Sequence, residues 1–437
     1  MSRQIHYLLV VFLSAKLLSA SSILNSPTVD TTQFRVTTFA SGLPLVNSVI
    51  RAKDGSFLAV SSTGFGGSTN IVRLQDNNSD GVADGPPQVL YSNPGGGVGT
   101  QIKSADKLYY VGEFGTSSIT ALAPGASAGD PMSVVGSLQF VYPPNHGHPS
   151  AGIAVRQTPN TPGSVDLVFN IGSEFNDQVS AAKVSVSGLG LSPTLLDGDA
   201  LYMVTINEAT GLASNIRQIA TGIRNVYGLA FHPATGDLYF ADNAIDEDVV
   251  SGFSEPPQSD ELNRISAADL GVNVLKFGYP NCFDAFRTGV QVEVVSGGCS
   301  GVTDSLINFN PIPNGTGEAR SEGPTEIAFA PSLFPDFYKN GVFVGFSGGV
   351  GPNGTNNQNP LVFVDSTFSN LQHFIPSGAM GNILGVYSTE DSLFISDWAG
   401  TRIFQIAAIN PVPEPSSLIV CAFALAALGA RRRAIRG

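Results

Sequence analysis

The sequence predicts an all-β fold, a β-propeller in which small antiparallel sheets stack radially around a common axis. The clearest observation is residues 221–243, which read as a short apolar strand, a turn of Pro, Thr and Gly, and an aromatic return strand. Weaker copies of this hairpin recur at residues 49–60, 152–170, 326–344 and 383–397. Irregular recurrence of such units is typical of propeller blades. A large β-sandwich or a β-solenoid is the alternative that the pattern leaves open.

Composition supports a mainly β domain over residues 33–408. The chain has 437 residues with 49 Gly and 28 Pro, only 13% of its residues are charged, and no long amphipathic helical pattern appears between its ends. Closed all-β architectures of this length occur as single domains. Residues 34–39 form a predicted strand ahead of the first hairpin. In propellers such a strand completes the last blade and closes the ring.

The charge balance and the N-terminal segment predict export. A formal net charge of −13 with no basic patch outside the termini argues against a nucleic-acid partner. Residues 1–21 combine a basic start at Arg3, an apolar run at residues 7–13 and small residues near Ala20, which is the pattern of a secretory signal peptide. A membrane anchor is the alternative, but the apolar run is short and Lys16 interrupts it.

Residues 412–434 carry a second targeting pattern. A Pro-Glu-Pro motif at residues 413–415 is followed by an apolar stretch at residues 418–428 and by three arginines at residues 431–433. The apolar length is marginal for a membrane span, which needs about 17 residues or more, and the arginines would stay on the cytoplasmic side. This order resembles the PEP-CTERM sorting signal. The resemblance implies removal of the tail by an exosortase-type membrane protease and delivery to the surface of an outer-membrane-bearing bacterium. An ordinary single-span anchor is the alternative.

The cysteines predict one disulfide. Cys421 lies within the sorting segment, so Cys282 and Cys299 are the pair left in the exported body. In an oxidising compartment we expect these two to be bonded. A catalytic thiol is disfavoured because no histidine stands near either cysteine in the sequence.

Residues 76–84, DNNSDGVAD, resemble the start of a calcium-binding loop. Alternating oxygen-bearing side chains, a turn glycine and a further carboxylate occupy the expected places: Asp76, Asn78, Asp80, Gly81 and Asp84. Alternating oxygens wrap a hard cation, and the glycine permits the sharp turn. Position twelve is Pro87 where an EF-hand has Glu. The alternative is a solvated turn that uses Asp and Asn for its geometry.

Two of the five histidines, His146 and His148, precede the predicted strand at Ile153. At that position they would point into the end of the propeller channel. A histidine there suits a general base, because its ordinary pKa lies near neutrality. The pair could instead share a metal, or satisfy backbone groups of the loop.

Four motifs carry a resemblance to a known family. They are G-x-R-N-x-x-G-L-A-F at residues 222–231, T-G-x-L-Y-x-x-D-N at 235–243, D-E-L-N-R-I at 260–265 and N-x-x-x-F-G-Y-P at 273–280. Together they resemble the glucose/sorbosone dehydrogenase family of soluble quinoproteins, and the wider similarity runs from about residue 36 to residue 406.

The resemblance implies a six-bladed propeller that uses pyrroloquinoline quinone (PQQ) and calcium. By its spacing of five residues before Ile153, His148 matches the family's base, which takes the hydroxyl proton of the sugar while hydride passes to the quinone. Arg224 and Asn225 match the Arg-Asn pair that contacts the quinone, and a guanidinium suits its carboxylates and carbonyls.

Departures from the family pattern define a second hypothesis. Ala244 stands where a glycine is expected near the calcium-binding loop, and residues 245–259 form an insertion rich in acids and prolines. No Arg or Lys occurs between Lys339 and Arg402, where the family places basic residues for the cofactor. The sequence therefore predicts an exported quinoprotein-type oxidoreductase acting on a sugar or related alcohol. The alternative is a non-catalytic propeller that binds glycans or extracellular polysaccharide at the cell surface.

Overall fold

The computed structural model describes residues 29–64, 67–149, 152–245, 258–285, 289–309, 323–347, 361–375 and 382–409. The predicted signal peptide (residues 1–21) and sorting signal (residues 412–434) lie outside these ranges. No helix among the described residues is long and apolar enough to cross a membrane.

The described strands form six blades around a central axis, numbered in chain order apart from the first strand, β1 (Phe34–Ser41), which joins blade 6. Blade 1 comprises β2 (Val46–Arg51), β3 (Phe57–Ser62), β4 (Thr69–Leu74) and β5 (Gln88–Asn93). Blade 2 comprises β6 (Gly99–Ser104), β7 (Tyr109–Glu113), β8 (Ser118–Ala123) and β9 (Ser133–Val141), extended by β12 (Val184–Gly188) and β13 (Leu191–Leu196). Blade 3 comprises β10 (Ile153–Gln157), β11 (Ser164–Ile171), β14 (Ala200–Asn207) and β15 (Leu212–Thr221), with the short β19 (Leu275–Lys276) at its edge.

The second half of the ring repeats this plan. Blade 4 comprises β16 (Val226–Phe231), β17 (Leu238–Asp242), β18 (Asp260–Ile265) and β22 (Ile307–Phe309). Blade 5 comprises β23 (Pro324–Phe329), β24 (Val342–Phe346), β25 (Leu361–Val364) and β26 (Leu371–Ile375), with a 3₁₀ turn at Asp336–Tyr338. Blade 6 comprises β27 (Ile383–Ser388), β28 (Ser392–Asp397), β29 (Arg402–Ala408) and β1. A separate hairpin pairs β20 (Cys282–Asp284) with β21 (Gln291–Glu293).

The ring closes as the sequence predicts. β1 pairs antiparallel with β29, from Phe34 opposite Ala408 to Ser41 opposite Arg402, so the first strand completes the last blade. The innermost strands of the six blades contact one another in an unbroken circle. Because closure pairs or covers the strand edges, it protects them from association with other chains.

Five of the six blades begin with a hairpin that the sequence pattern identifies, and blade 2 is the exception. Its inner strand β6 reads GTQIKS, with Ile102 as its single large apolar residue. This strand faces the channel with polar side chains, so it lacks the apolar run that marks the other inner strands. The pattern therefore missed β6 because the strand has only one large apolar residue.

Six hydrophobic clusters, each between two neighbouring blades, form the core. Between blades 5 and 6, for example, Phe34, Phe343 and Phe374 pack edge to face at centroid distances of 4.9 to 5.3 Å. Radial burial of this kind distinguishes a propeller from a sandwich, which has one core between two sheets. The sandwich and solenoid alternatives are excluded.

Glycines let the inner strands approach one another closely around the axis. A Cβ atom on Gly228 of β16 would lie 1.9 Å from the Thr325 carbonyl oxygen of β23, and one on Gly385 would lie 2.6 Å from the Asn47 carbonyl oxygen. No side chain fits at such distances. These positions therefore set the narrow bore of the channel.

The predicted disulfide is confirmed. The Cys282 and Cys299 sulfurs are bonded at 2.06 Å, and the bond ties hairpin β20–β21 to the loop that follows it.

Candidate functional site

The six inner strands all begin at one face of the ring, which we call the upper face; they end at the lower face. At the upper mouth of the channel lies a cavity of about 280 Å³. Its lining comes from the starts of inner strands and from loops above them: Asn47, Val98, Thr100, Phe114, Gly147, His148, Pro149, Asn225, Tyr227, Leu384 and Trp398. Two of the predicted site residues, His148 and Asn225, meet in this cavity.

His148 is fixed by the segment that follows β11. Its backbone N–H donates to the Ser173 carbonyl oxygen (3.0 Å), and its Nδ1 lies 3.2 Å from the same oxygen and 2.9 Å from the Ser173 hydroxyl. That hydroxyl donates to the Phe175 carbonyl (2.7 Å), so it accepts from the imidazole. Two acceptors at Nδ1 require the proton there. Nε2 is therefore the basic nitrogen.

Close backbone packing brings His148 beside Arg224. A Cβ atom on Gly172 would lie 2.3 Å from the His148 carbonyl oxygen and 3.2 Å from the Arg224 carbonyl oxygen, so only glycine fits between them. Burial, and secondly the nearby Arg224 charge, lower the pKa of His148 to about 3. The imidazole is consequently neutral at neutral pH, and the same shift makes it a weaker base than an ordinary histidine.

Asp242 organises the Arg-Asn pair. Its carboxylate accepts the backbone N–H of Arg224 (3.0 Å) through one oxygen and that of Asn225 (2.7 Å) through the other. The carboxylate is 3% exposed, and burial raises its pKa to about 6 despite these two bonds and the Arg224 charge. Asp242 ends β17, so the predicted hairpin itself delivers this support.

The Arg224 side chain lies beneath the cavity wall and does not line it. The residue is 2% exposed, and its guanidinium donates to the backbone carbonyl of Asn176 (3.2 Å) and to the side-chain oxygen of the same residue. A third contact, at 3.5 Å, reaches the Asn243 carbonyl. Arg224 therefore influences the cavity through its charge and through the backbone of Asn176 and Asn243, to which its guanidinium donates.

His146, the second predicted histidine, points elsewhere. Its ring packs on Tyr142 at a centroid distance of 4.7 Å, and its Nε2 lies 3.0 Å from the Gly172 carbonyl. His146 is absent from the cavity lining, and the spacing argument that chose His148 selected the histidine that the structure places there.

Asn47 and Trp398 are cavity residues that the sequence reading missed. The indole Nε1 of Trp398 and Oδ1 of Asn47 are buried without a hydrogen-bond partner among the described residues. Such orphaned atoms at a cavity wall suit a polar ligand. One signal could have found Trp398: it is the single tryptophan of the chain and follows a strand that ends in Asp397, just as Asn243 follows Asp242.

The D-E-L-N motif places a second buried acid near the site. Glu261, on β18, is 5% exposed and accepts from the Asn263 amide at 3.3 Å. Burial, and next the charges of Asp242 and Asp284, raise its pKa to about 8. Burial thus raises the pKa values of two carboxyl groups at this end of blade 4, those of Asp242 and Glu261.

The predicted calcium loop forms a compact turn on the outside of blade 1. The Asp76 carboxylate accepts the backbone N–H of Asp80 (3.2 Å) and Gly81 (3.0 Å), and Asp84 accepts that of Asn77 (2.7 Å). Within the described ranges no group of three or more His, Cys, Asp or Glu side chains is arranged to hold a metal ion. Calcium binding here stays a prediction.

Comparison with known proteins places the fold. No family model and no curated protein matches the chain. Among solved structures, the holo form of the pyranose dehydrogenase PQQ domain from Coprinopsis cinerea superposes with a TM-score of 0.60 at 13% identity, covering 88% of this chain and 97% of that chain. A calcium structure of Carbohydrate-Active Enzymes family AA12 from Trichoderma reesei gives 0.58 at 14% identity, with 88% and 97% covered.

A bacterial structure has a similar fold. The PQQ-bound form of aldose sugar dehydrogenase from Streptomyces coelicolor has a TM-score of 0.52 at 16% identity, covering 88% of this chain and all of that chain (100%). At such identities the similarity shows the fold alone. The chain has the six-bladed propeller fold of PQQ-dependent sugar dehydrogenases.

Proposed function

We propose that the protein is an exported quinoprotein-type oxidoreductase that oxidises a sugar or related alcohol in the upper cavity. The observation that carries the proposal is the placement of His148, whose Nδ1 contacts Ser173, in one cavity with Asn225. A ligand hydroxyl near Nε2 would lose its proton to that nitrogen. The fold shared with sugar dehydrogenases supports the same reaction class.

The cavity residues fit the carbonyl edge of pyrroloquinoline quinone. The orphaned indole Nε1 of Trp398 is a donor, the Asn225 amide can donate as well, and the Arg224 charge lies behind the wall. When bound, such a quinone supplies the two-electron acceptor for the alcohol. The chain's own residues would orient it and the sugar, and His148 would take the proton.

Export and calcium belong to the same proposal. The signal pattern at residues 1–21 and the PEP-CTERM-like tail at residues 412–434 support secretion, processing by an exosortase-type protease and a cell-surface location. Membrane contact would be confined to the tail before processing.

Calcium would bind at Asp76, Asn78, Asp80 and Asp84, where the oxygen pattern supports it. Added calcium should then raise the melting temperature of the wild-type protein but not that of Asp80→Ala.

One observation favours the alternative, a non-catalytic propeller that binds glycans. Among the described residues that line the cavity there is no Lys or Arg, and the buried guanidinium of Arg224 is already engaged by Asn176. A cofactor rich in carboxylates would meet a weak electrostatic clamp. A neutral sugar needs no such clamp.

Titration of the purified protein with the quinone plus calcium tests the proposal. Trp398 is the only tryptophan, so its fluorescence reports directly on occupancy of the cavity. We expect saturable quenching, and dye reduction with one or more members of an aldose panel. His148→Ala should abolish dye reduction while quenching remains. Absence of quenching at micromolar cofactor would refute the enzyme and favour the glycan-binding alternative.

A further inference from the structure

We propose that blade 2 carries a second ligand site, a groove on the upper face that binds a hydroxylated amine such as an amino-sugar unit. The groove has a volume of about 310 Å³ and lies between the outer strand of blade 1 and the strands of blade 2. Its polar lining includes Tyr91, Asn93, Glu113, Ser118, Thr120 and Ser137. The inference is independent of the proposed oxidoreductase activity.

A buried carboxylate lies in the wall of the groove. Glu113, the last residue of β7, is 2% exposed. One of its oxygens accepts from the Asn93 amide (2.9 Å), and the other accepts from the hydroxyls of Thr120 (2.8 Å) and Ser118 (3.3 Å). All three partners are neutral. They fix the carboxylate in place without balancing its charge.

No cation of the protein compensates Glu113 within the described part of the chain. None of the ion pairs among these residues includes it. Residues 89–142, which form the groove, contain only Lys103 and Lys107 as basic residues. Both belong to the lower end of blade 2, where Lys103 pairs with Glu326. A buried carboxylate without a counter-charge in the wall of a groove favours a cationic ligand.

The rest of the lining suits a ligand with several hydroxyls. Thr120 Oγ1 lies 3.1 Å from Ser137 Oγ, and the hydroxyls of Thr116 and Ser118 are 2.6 Å apart. Burial, and secondly Glu113, raise the pKa of Tyr91 to about 12, so its phenol stays protonated. Hydroxyls both donate and accept, which is what recognition of a polyol requires.

The groove is a neighbour of the upper cavity and separate from it. Phe114, the residue after Glu113, lines the cavity, and its N–H donates to the Val98 carbonyl at 2.9 Å. The two sites thus share a wall on one face of the ring. A glycan chain lying across this face could contact both.

The test is calorimetric titration with the β-linked glucosamine dimer, with its di-N-acetylated form as the neutral match. We expect the cationic dimer to bind more weakly as salt concentration rises. Glu113→Gln keeps the shape and removes the charge, and should weaken binding about tenfold or more, as for loss of a desolvated charge pair. Asp391→Asn removes one exposed charge at the lower face and should leave binding unchanged.

A second variant guards against a folding defect in Glu113→Gln. Val134 lines the groove and is 57% exposed, so Val134→Lys should fold and place an ammonium in the groove that Glu113 lines. It should abolish binding of the dimer. The proposal is overturned if either groove variant binds the glucosamine dimer like wild type. It is also overturned if the N-acetylated dimer binds as tightly as the cationic one.

Discussion

The two ends of the central channel differ in size and in chemistry. The lower mouth opens into a cavity of about 580 Å³ whose walls combine apolar residues such as Phe329 with the charged residues Lys103 and Glu390. The upper cavity, at about 280 Å³, is half that size but brings together the imidazole of His148 and the indole of Trp398. The two ends therefore differ in which groups line them: the lower cavity includes formally charged residues, and the upper cavity has an imidazole and an indole among mainly apolar walls.

A buried ion pair lies between the two cavities, and we call the part of the channel at Lys103 and Glu326 the waist. Lys103 pairs with Glu326, which also accepts from the Ser48 hydroxyl (3.0 Å) and the Val386 N–H (3.1 Å). Glu326 is fully buried, and burial raises its pKa despite the neighbouring ammonium. The charge of Glu326 is thus compensated within the protein, whereas the upper cavity has orphaned polar atoms of Asn47 and Trp398 at its wall.

The largest expected difference between the two ends of the channel is the loss of activity when His148, the proposed base, is removed. We expect His148→Ala to lower kcat/KM by about 100- to 10,000-fold, the range typical of a general base. The matched control is His146→Ala, two residues away but outside the cavity, which should keep activity within about threefold. Steady-state kinetics with the reconstituted protein decide. Equal losses in the two variants would contradict the assignment of His148.

The next largest effect concerns the waist. Lys103→Met should lower the free energy of unfolding by about 3 kcal/mol, because it leaves Glu326 buried without its counter-charge. The double variant Lys103→Met/Glu326→Gln should recover part of this loss. Denaturant unfolding measures both. An unchanged midpoint in Lys103→Met would show that the pair does not hold the waist.

The contribution of Glu261, a buried acid at the upper end, to folding stability should depend on pH. The folded-state pKa of Glu261 is raised to about 8 from an ordinary 4.5, so the fold favours the protonated form. Its contribution to stability is full below about pH 4.5 and is lost as pH rises through 8. Glu261→Gln should therefore raise stability at pH 8 or above by on the order of 2 kcal/mol.

The control for that experiment is Glu390→Gln, which changes an exposed acid at the lower mouth. Thermal melts of both variants between pH 4 and 9 provide the comparison. If Glu261→Gln follows the wild-type pH profile, Glu261 is ionised in the fold and the inferred cost of its burial is wrong.

The smallest effect concerns the orphaned indole. If a ligand in the upper cavity accepts from Trp398 Nε1, Trp398→Phe should weaken its binding by about 1 kcal/mol, roughly fivefold. Phe329→Leu, a comparable change in the lower cavity, should have no effect. Calorimetry replaces fluorescence here because the variant lacks tryptophan. Unaltered affinity would remove Trp398 from the ligand contacts.

The candidate site was predictable where it depends on local sequence. The pair Arg224–Asn225 and the carboxylate of Asp242 lie at the two ends of one hairpin, and the register of that hairpin brings them together. The choice of His148 came from the family resemblance, through its spacing to Ile153, and His148 is the histidine that lines the cavity. The sequence analysis did not predict Asn47, Phe114 and Trp398 as site residues. They come from three other blades, and only ring closure makes them neighbours.

Sequence alone determined the repeated hairpins, the closing strand β1 and the residues of the Arg-Asn turn, because each depends on alternation and turn chemistry within a few tens of residues. The tertiary structure decided which polar residues face a cavity and which satisfy backbone. It turned Arg224 inward, gathered Asn47 with Trp398 and left Glu113 without a counter-charge among the described residues. The physical reason is that burial and charge compensation depend on neighbouring blades, whose contacts join residues far apart in the chain.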